Sequence, residues 1–368
     1  MSTRLPAQIV KELLSYLRDP KSRLTLVGPP LMQLLIFSYA VTLDVNNVDL
    51  VVLDEDAGRG SHELIQRLQG AGFVNELSFV DDAHALAAAI DRREALAALH
   101  FPADFSRELA AGRPAVAQVV LDGRRANAAQ ITLGYLSAIA ADTGAELARR
   151  GSGSAAPRTE LRHWFNPNLI YRWFVVPSLS GILAMLISLL VTSLSIARER
   201  ELGTFDQLLV SPATPLEIVI GKTVPALIIG SVLGTVMILA GVLLFRIPFT
   251  GSGVWLLGGL MLFILSMVGI GLMLSSICRT QQQAILGTFS IGVPLVLISG
   301  FATPVENMPD WLQLIAQASP LKYYLVIVRG SFLKALPSTD LLANMWPMLL
   351  IALVTLSSAV VIVKRNLQ

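Results

Sequence analysis

A helical membrane protein of six spans, with one α/β domain inserted on the extracytoplasmic side, is the fold this chain calls for, on three grounds. Of its 368 residues, 54% are hydrophobic and only 15% charged, against about 25% charged in an average soluble domain. Six apolar runs are each long enough to cross a bilayer, which takes about 20 residues of helix. Between the first and second run, residues 44–171 turn charged, and their apolar stretches become too short to span. The net charge of +2 is too small, and its basic residues too dispersed, for a nucleic-acid partner.

Residues 1–23 read as a helix lying along the cytoplasmic membrane surface. Ile9, Val10, Leu13, Leu14 and Leu17 form one apolar face, with Lys11, Glu12 and Arg18 pointing elsewhere. Asp19-Pro20 breaks the helix, and residues 24–43 form the first span, carrying Pro29-Pro30 and no charge. A cleaved signal peptide is the competing reading, because Ser38-Tyr39-Ala40 resembles a small-x-small cleavage site. The length and amphipathic character of the leading segment favour the span.

In residues 44–171, strands are expected at 48–53, 73–80, 96–101 and 116–121. Helices are expected at 61–69, 82–93, 102–111 and 127–150. Alternating strands and helices indicate a small α/β domain. Its four histidines, His62, His84, His100 and His163, lack ligand spacing, so no metal site is expected. Asp54-Glu55-Asp56 reads as a solvated turn, since no glycine-spaced calcium loop follows it. The single cysteine, Cys278, rules out a disulfide or a cysteine metal site within one chain. Gly151-Ser152-Gly153-Ser154 is a flexible linker.

Residues 172–368 then hold five more spans, at 174–197, 223–245, 254–277, 283–302 and 342–363. With the N-terminus inside, the cytoplasmic segments collect Arg4, Lys11, Arg18, Lys21, Arg23, Arg198, Arg200, Lys222, Arg279, Lys364 and Arg365. The short outer loops keep Arg246, Lys322, Arg329 and Lys334. Trp164, Trp173, Trp255, Trp311 and Trp346 all fall at the outer side, as an aromatic belt requires. The segment from Pro304 to Pro320 reads as short helices dipping into the outer interface, either gating an exit or anchoring the bundle.

No Asp, Glu, Lys, Arg or His lies within any of the six runs. Ion-coupled carriers place an ionisable residue at membrane depth, so energy should enter from elsewhere. Gly221-Lys222-Thr223 resembles the end of a phosphate loop, but Leu216 stands where the first glycine belongs and no strand precedes it. Lys222 reads instead as a lysine reaching from the foot of a span to the headgroups. Gly230 and Gly234 form a GxxxG pair, equally suited to a dimer seam or to contact within one subunit.

The segment from Arg198 to Lys222, RERELGTFDQLLVSPATPLEIVIGK, joins two spans by a punctuated bend. Gly203 should stop the first helix. Thr204 can N-cap a short helix whose Phe205, Leu208 and Leu209 share a face, and Pro212 ends it. Thr214-Pro215-Leu216-Glu217 is a capping-box start for the next helix. Such a helix offers an apolar stripe to something outside the bilayer; a plain connector lying on headgroups is the alternative.

These residues carry a resemblance. The segment's E-x-G-T-x-x-x-L-L-V-x-P run is similar to the cytoplasmic connector of ABC-2 type transporter permeases. Trp164-Phe165-Asn166-Pro167-Asn168-Leu169 resembles the same family's W-x-N-P-N-L segment. Arg279-Thr280-Gln281-Gln282-Gln283 and Ser299-Gly300-Phe301-Ala302-Thr303-Pro304 look like two further family blocks. The resemblance implies a bacterial inner-membrane, multi-pass subunit of an exporter for apolar or amphiphilic cargo, of the multidrug efflux type. It also implies a second permease subunit, the same or related, and a separate cytoplasmic ATP-binding subunit that holds ATP-Mg. This chain would then bind no cofactor and carry no catalytic group. The helix from Thr204 to Val210, with Phe205, Gln207, Leu208 and Leu209, would dock on the ATPase. Arg198, Glu199, Arg200, Glu201 and Gly203 would stand above it, and the Ile9 to Leu17 helix would brace the contact. The reading from another class is a membrane receptor or envelope-assembly protein whose external domain binds a ligand or partner.

Overall fold

The computed structural model describes residues 4–18, 20–40, 45–152, 166, 170–203 and 214–366. The chain divides into two compact units, one of residues 1–41 with 164–368 and the other of residues 42–163.

The smaller unit is built on strands β1 (Val48–Asp54), β2 (Val74–Phe79), β3 (Ala97–Phe101) and β4 (Gln118–Leu121), in the order β2-β1-β3-β4. β1 pairs parallel with β2 and β3, and β4 runs antiparallel to β3. Alternation along β1 explains how both faces are covered. Val48, Leu50 and Val52 pack with Leu64, Ile65 and Leu68 of α3 (Arg59–Gln69), while Val51 and Leu53 pack with Leu86 and Ala89 of α4 (Ala83–Asp91). A sheet covered on both faces selects the near-continuous apolar run seen in β1. α5 (Phe105–Ala110) and α6 (Ala126–Ser152) complete the α3 side.

Asp54 and Asp56 follow β1. Asp56 accepts from the Ser106 amide at 2.9 Å, from the Ser106 hydroxyl and from the Gly58 amide at 3.2 Å; Asp54 accepts from Ser61 Oγ at 3.1 Å. The Asp56 carboxylate ties the loop to α5.

The larger unit begins with α1 (Arg4–Arg18) and α2 (Pro20–Ala40) and continues with α7 (Arg172–Glu201), α8 (Pro215–Leu243), α9 (Gly253–Ile277) and α10 (Gln281–Leu297). It ends with α11 (Asp310–Ala316), α12 (Pro320–Leu333) and α13 (Ser338–Asn366). Among the described residues four helices are long and apolar enough to cross a membrane: α7, α8, α9 and α13 up to Arg365. The runs expected at 24–43 and 283–302 fall on shorter elements. α2 offers an apolar stretch at Val27–Tyr39, with residues 41–44 outside the described set, and α10 has 17 residues, about 26 Å of rise.

α7 runs through the core with Val176, Ala184, Met185 and Leu189 fully buried, while α8 and α13 turn Leu, Val and Ile side chains outward. Helices in lipid gain little from apolar burial and associate by close packing. The Gly230/Gly234 pair serves that purpose inside this chain. A Cβ at Gly230 would meet Ser188 Oγ at 2.6 Å, and one at Gly234 would meet Leu260 Cδ1 at 3.0 Å.

α12 departs from expectation. The sequence ends its short helices at Pro320 and places Lys322 and Arg329 in an outer loop; α11 is a short helix with Trp311 and Leu314 largely exposed. Pro320–Leu333 instead lies in the middle of the bundle, with Leu321, Tyr324, Ile327, Val328 and Phe332 fully buried. Its 14 residues rise only about 21 Å, and Lys322 and Arg329 interrupt its apolar run, so neither length nor composition marked it as core.

Candidate functional site

α7 ends in Arg198-Glu199-Arg200-Glu201. Leu202 caps it, and Gly203 takes φ +69°, a left-handed conformation that suits glycine at a helix stop. Residues 204–213 lie outside the described set, so the expected helix at Thr204, Phe205, Gln207, Leu208 and Leu209 has no structural account here. α8 then starts at the capping box read from the sequence. Thr214 Oγ1 accepts from the Glu217 amide at 3.3 Å, and Glu217 Oε2 accepts from the Thr214 amide at 2.8 Å.

Four consecutive residues on a helix face four directions, about 100° apart, and the structure disperses the charged cluster accordingly. Arg198 is exposed. Glu199 turns inward to Lys222 at 3.0 Å, the Arg200 guanidinium donates to the Cys278 carbonyl at 3.2 Å, and Glu201 accepts from the Gln281 amide at 2.7 Å. The end of α7 is thereby joined to α8 and to the loop between α9 and α10.

Lys222 is the centre of this arrangement, which corrects the sequence reading of it as a lysine reaching for headgroups. Its side chain is 1% exposed, and its ammonium lies 3.0 Å from Glu12 Oε1, 3.0 Å from Glu199 Oε2 and 3.0 Å from Ser195 Oγ. One buried cation between two carboxylates holds three helices, α1, α7 and α8, by one point. Buried pairs of this kind add little net stability but are costly to break, because removing one partner leaves the surviving charge undercompensated in a buried place.

The same contact reverses part of the reading of α1. Glu12, expected to point away, faces the bundle, and so does Gln8 one turn earlier. A Cβ on Gly221 would come within 2.7 Å of Gln8 Cδ, so glycine there permits the close approach of α1 to α8. Ile9, Leu13 and Leu14 are half-buried and Val10 is 52% exposed; Leu17 lies in the last turn of α1. The polar stripe at i and i+4, Gln8 with Glu12, was the sequence signal for this contact, together with Lys222 as a cation beside an otherwise uncharged run.

A second polar centre stands at the opposite end of α7. Arg329 of α12 lies 4.0 Å over the Phe174 ring, donates from Nε to Ser178 Oγ at 2.8 Å and from Nη1 to the Gly300 carbonyl at 3.4 Å. Phe174 in turn stacks on Phe301 with centroids 6.2 Å apart. One guanidinium thus ties α12 to α7 and to the segment after α10. In the sequence Arg329 had read as a short-loop residue. Nearby, the Tyr324 ring stacks on Phe263 at 4.4 Å, its hydroxyl buried without a hydrogen-bond partner among the described residues.

A helical bundle whose charged end is gathered beside an inter-helix connector is the arrangement that family comparison explains. The model for ABC-2 family transporter proteins matches residues 24–361. The chain belongs to the ABC-2 transporter family. Among similar ABC-2 proteins is the "Probable multidrug ABC transporter permease YbhR" of Escherichia coli K12, 42% identical over 369 residues and covering 100% of both chains. The "Probable multidrug ABC transporter permease YbhS" of the same organism is 29% identical over 337 residues, 90% of this chain and 88% of that one. Its "Inner membrane transport permease YhhJ" is 28% identical over 341 residues, 87% and 86% respectively.

Proposed function

We propose that this chain is the permease subunit of an ATP-driven exporter in a bacterial inner membrane, moving apolar or amphiphilic cargo of the multidrug type. ATP is hydrolysed by a separate cytoplasmic subunit. The observation that carries the reading is the full-length match to a permease, together with a buried ion-pair centre beside the 204–213 connector. In this reading six crossings are made, with α2 and α10 as the two shorter ones. Both termini face the cytoplasm, and residues 44–171 lie outside. The basic residues at the Arg198, Lys222, Arg279 and Lys364 ends, and Trp173, Trp255 and Trp346 at the other ends of α7, α9 and α13, support that orientation. A second permease copy completes the unit. Phe205, Leu208 and Leu209 dock on the ATPase, and the Lys222 centre passes its movement to α1, α7 and α8.

The test is reconstitution into liposomes with and without its cytoplasmic ATP-binding subunit. Cargo should move only when both subunits and ATP are present. Movement by this chain alone would overturn the reading.

A further inference from the structure

The α/β unit holds a cavity of about 400 Å³ between α3, α5, α6 and β4. Leu64 and Leu68 of α3, Phe105 and Leu109 of α5, Val119 of β4 and Leu136 of α6 form most of its wall. No described lining residue is ionisable. The side-chain hydroxyls are those of Ser137 and Thr143, and Thr143 already donates to the Ile139 carbonyl at 2.6 Å. Val116 lines the cavity and is 72% exposed, so the space reaches the surface beside the segment leading to β4.

The void has a cause in the sequence of α6. Ser137, Ala140 and Gly144 fall at i, i+3 and i+7, so one face of the helix presents small residues to the leucines and phenylalanine opposite. A Cβ added at Gly144 would meet nothing within 4 Å. Beside it the core is filled, with Val52, Ala97 and Phe101 wholly buried. Protein interiors normally pack to crystal density with few voids larger than a water. An apolar-walled recess favours apolar molecules over water, and this volume lies in the roughly 300–1,000 Å³ range of small-molecule sites.

We propose that this cavity is a binding site for a small uncharged apolar molecule, of the size of a medium-chain alcohol or a two-ring aromatic, with Ser137 Oγ as a polar contact. Charge decides the class. No described cation lines the walls to receive a carboxylate or phosphate, and no carboxylate to receive an amine. The site does not depend on the permease reading and would exist equally in a receptor.

The full chain in membrane vesicles is labelled with a diazirine-bearing medium-chain alcohol, digested with trypsin and mapped by mass spectrometry. Cleavage after Arg125 and Arg149 isolates residues 126–149, and cleavage after Arg59 and Arg67 isolates residues 60–67. Both peptides should label saturably, and unlabelled decanol or naphthalene should abolish the signal where decanoate does not. The double variant Ala140→Leu/Gly144→Leu, which fills the space, should lose labelling of both peptides while peptides from the spans label as before. The wild-type competition stands without the variant, so a folding defect leaves the test intact. Labelling confined to the spans, labelling that does not saturate, or labelling indifferent to filling overturns the proposal. So does a peptide shielded at every probe concentration, which would mean that protein occupies the space.

Discussion

The Lys222 ammonium stands 3.0 Å from Oε1 of Glu12, 210 positions earlier in the chain. With Glu199 on its other side, it forms a three-residue centre in which no side chain is more than 15% exposed. Lys222→Met should therefore remove the cation shared by two largely buried carboxylates and destabilise the bundle, by up to about 3–5 kcal/mol. Adding Glu12→Gln and Glu199→Gln to that variant should return most of the loss. Thermal unfolding of the three proteins in detergent measures both steps.

Gly221 and Gln8 form a steric pair. Gly221→Val should push α1 off α8, at a cost of about 1–3 kcal/mol as for other overpacked contacts. Gln8→Ala should relieve it, because the group met is a side-chain end. Cysteine crosslinking between α1 and α8 reports the displacement directly.

Tyr324→Phe keeps the stack on Phe263 and deletes a hydroxyl that has no partner among the described residues. Removing an unpaired buried polar group relieves a desolvation penalty of about 1–3 kcal/mol. The variant should be at least as stable as the parent, and a clear fall in melting temperature would show that the hydroxyl is paired.

Phe205→Asp and Leu208→Asp place charge at two positions proposed to dock on the ATPase. Each should weaken co-purification of the ATPase subunit and abolish export, with membrane insertion intact. Unchanged export with both replaced would refute their assigned role. A chain acting as a receptor would show no ATPase association to lose.

Asp56 sets a pH dependence in the α/β unit. Burial pushes its carboxyl upward, but hydrogen bonds from the Ser106 hydroxyl and amide and from the Gly58 amide hold it below its ordinary value of 3.8. A carboxyl depressed in the folded state contributes stability that is fully present above its unfolded value and is lost as pH falls through the folded one. Protection of residues 54–61 in hydrogen exchange, corrected for intrinsic rates, should fall below that value, and Asp56→Asn should flatten the dependence.

Much of this architecture is legible in the residues because its signals are local. The α/β unit shows its strands as short apolar runs between turn signals, and β1 to β4 lie within a few residues of where those runs stand. The start of α8 is written in Thr214, Pro215 and Glu217, and the stop of α7 in Gly203. The features that escaped are non-local. Glu12 and Lys222 find each other across most of the chain, and each alone looks like an ordinary charged residue at a helix border. α12 escaped because Lys222-like logic applies to Arg329 as well: a charge in a short segment reads as loop until its partners, Phe174, Ser178 and the Gly300 carbonyl, are known.

α7 carries the Glu199 contact near its last turn and the Phe174 and Ser178 contacts near its first, and as a continuous 30-residue helix it measures about 45 Å. It is thus a stiff lever with a grip at each end. A tilt of about 5° imposed at the ionic end sweeps the aromatic end through roughly 4 Å, enough to slide Arg329 off its carbonyl, so a torque applied at one end of the helix arrives as a broken clasp at the other.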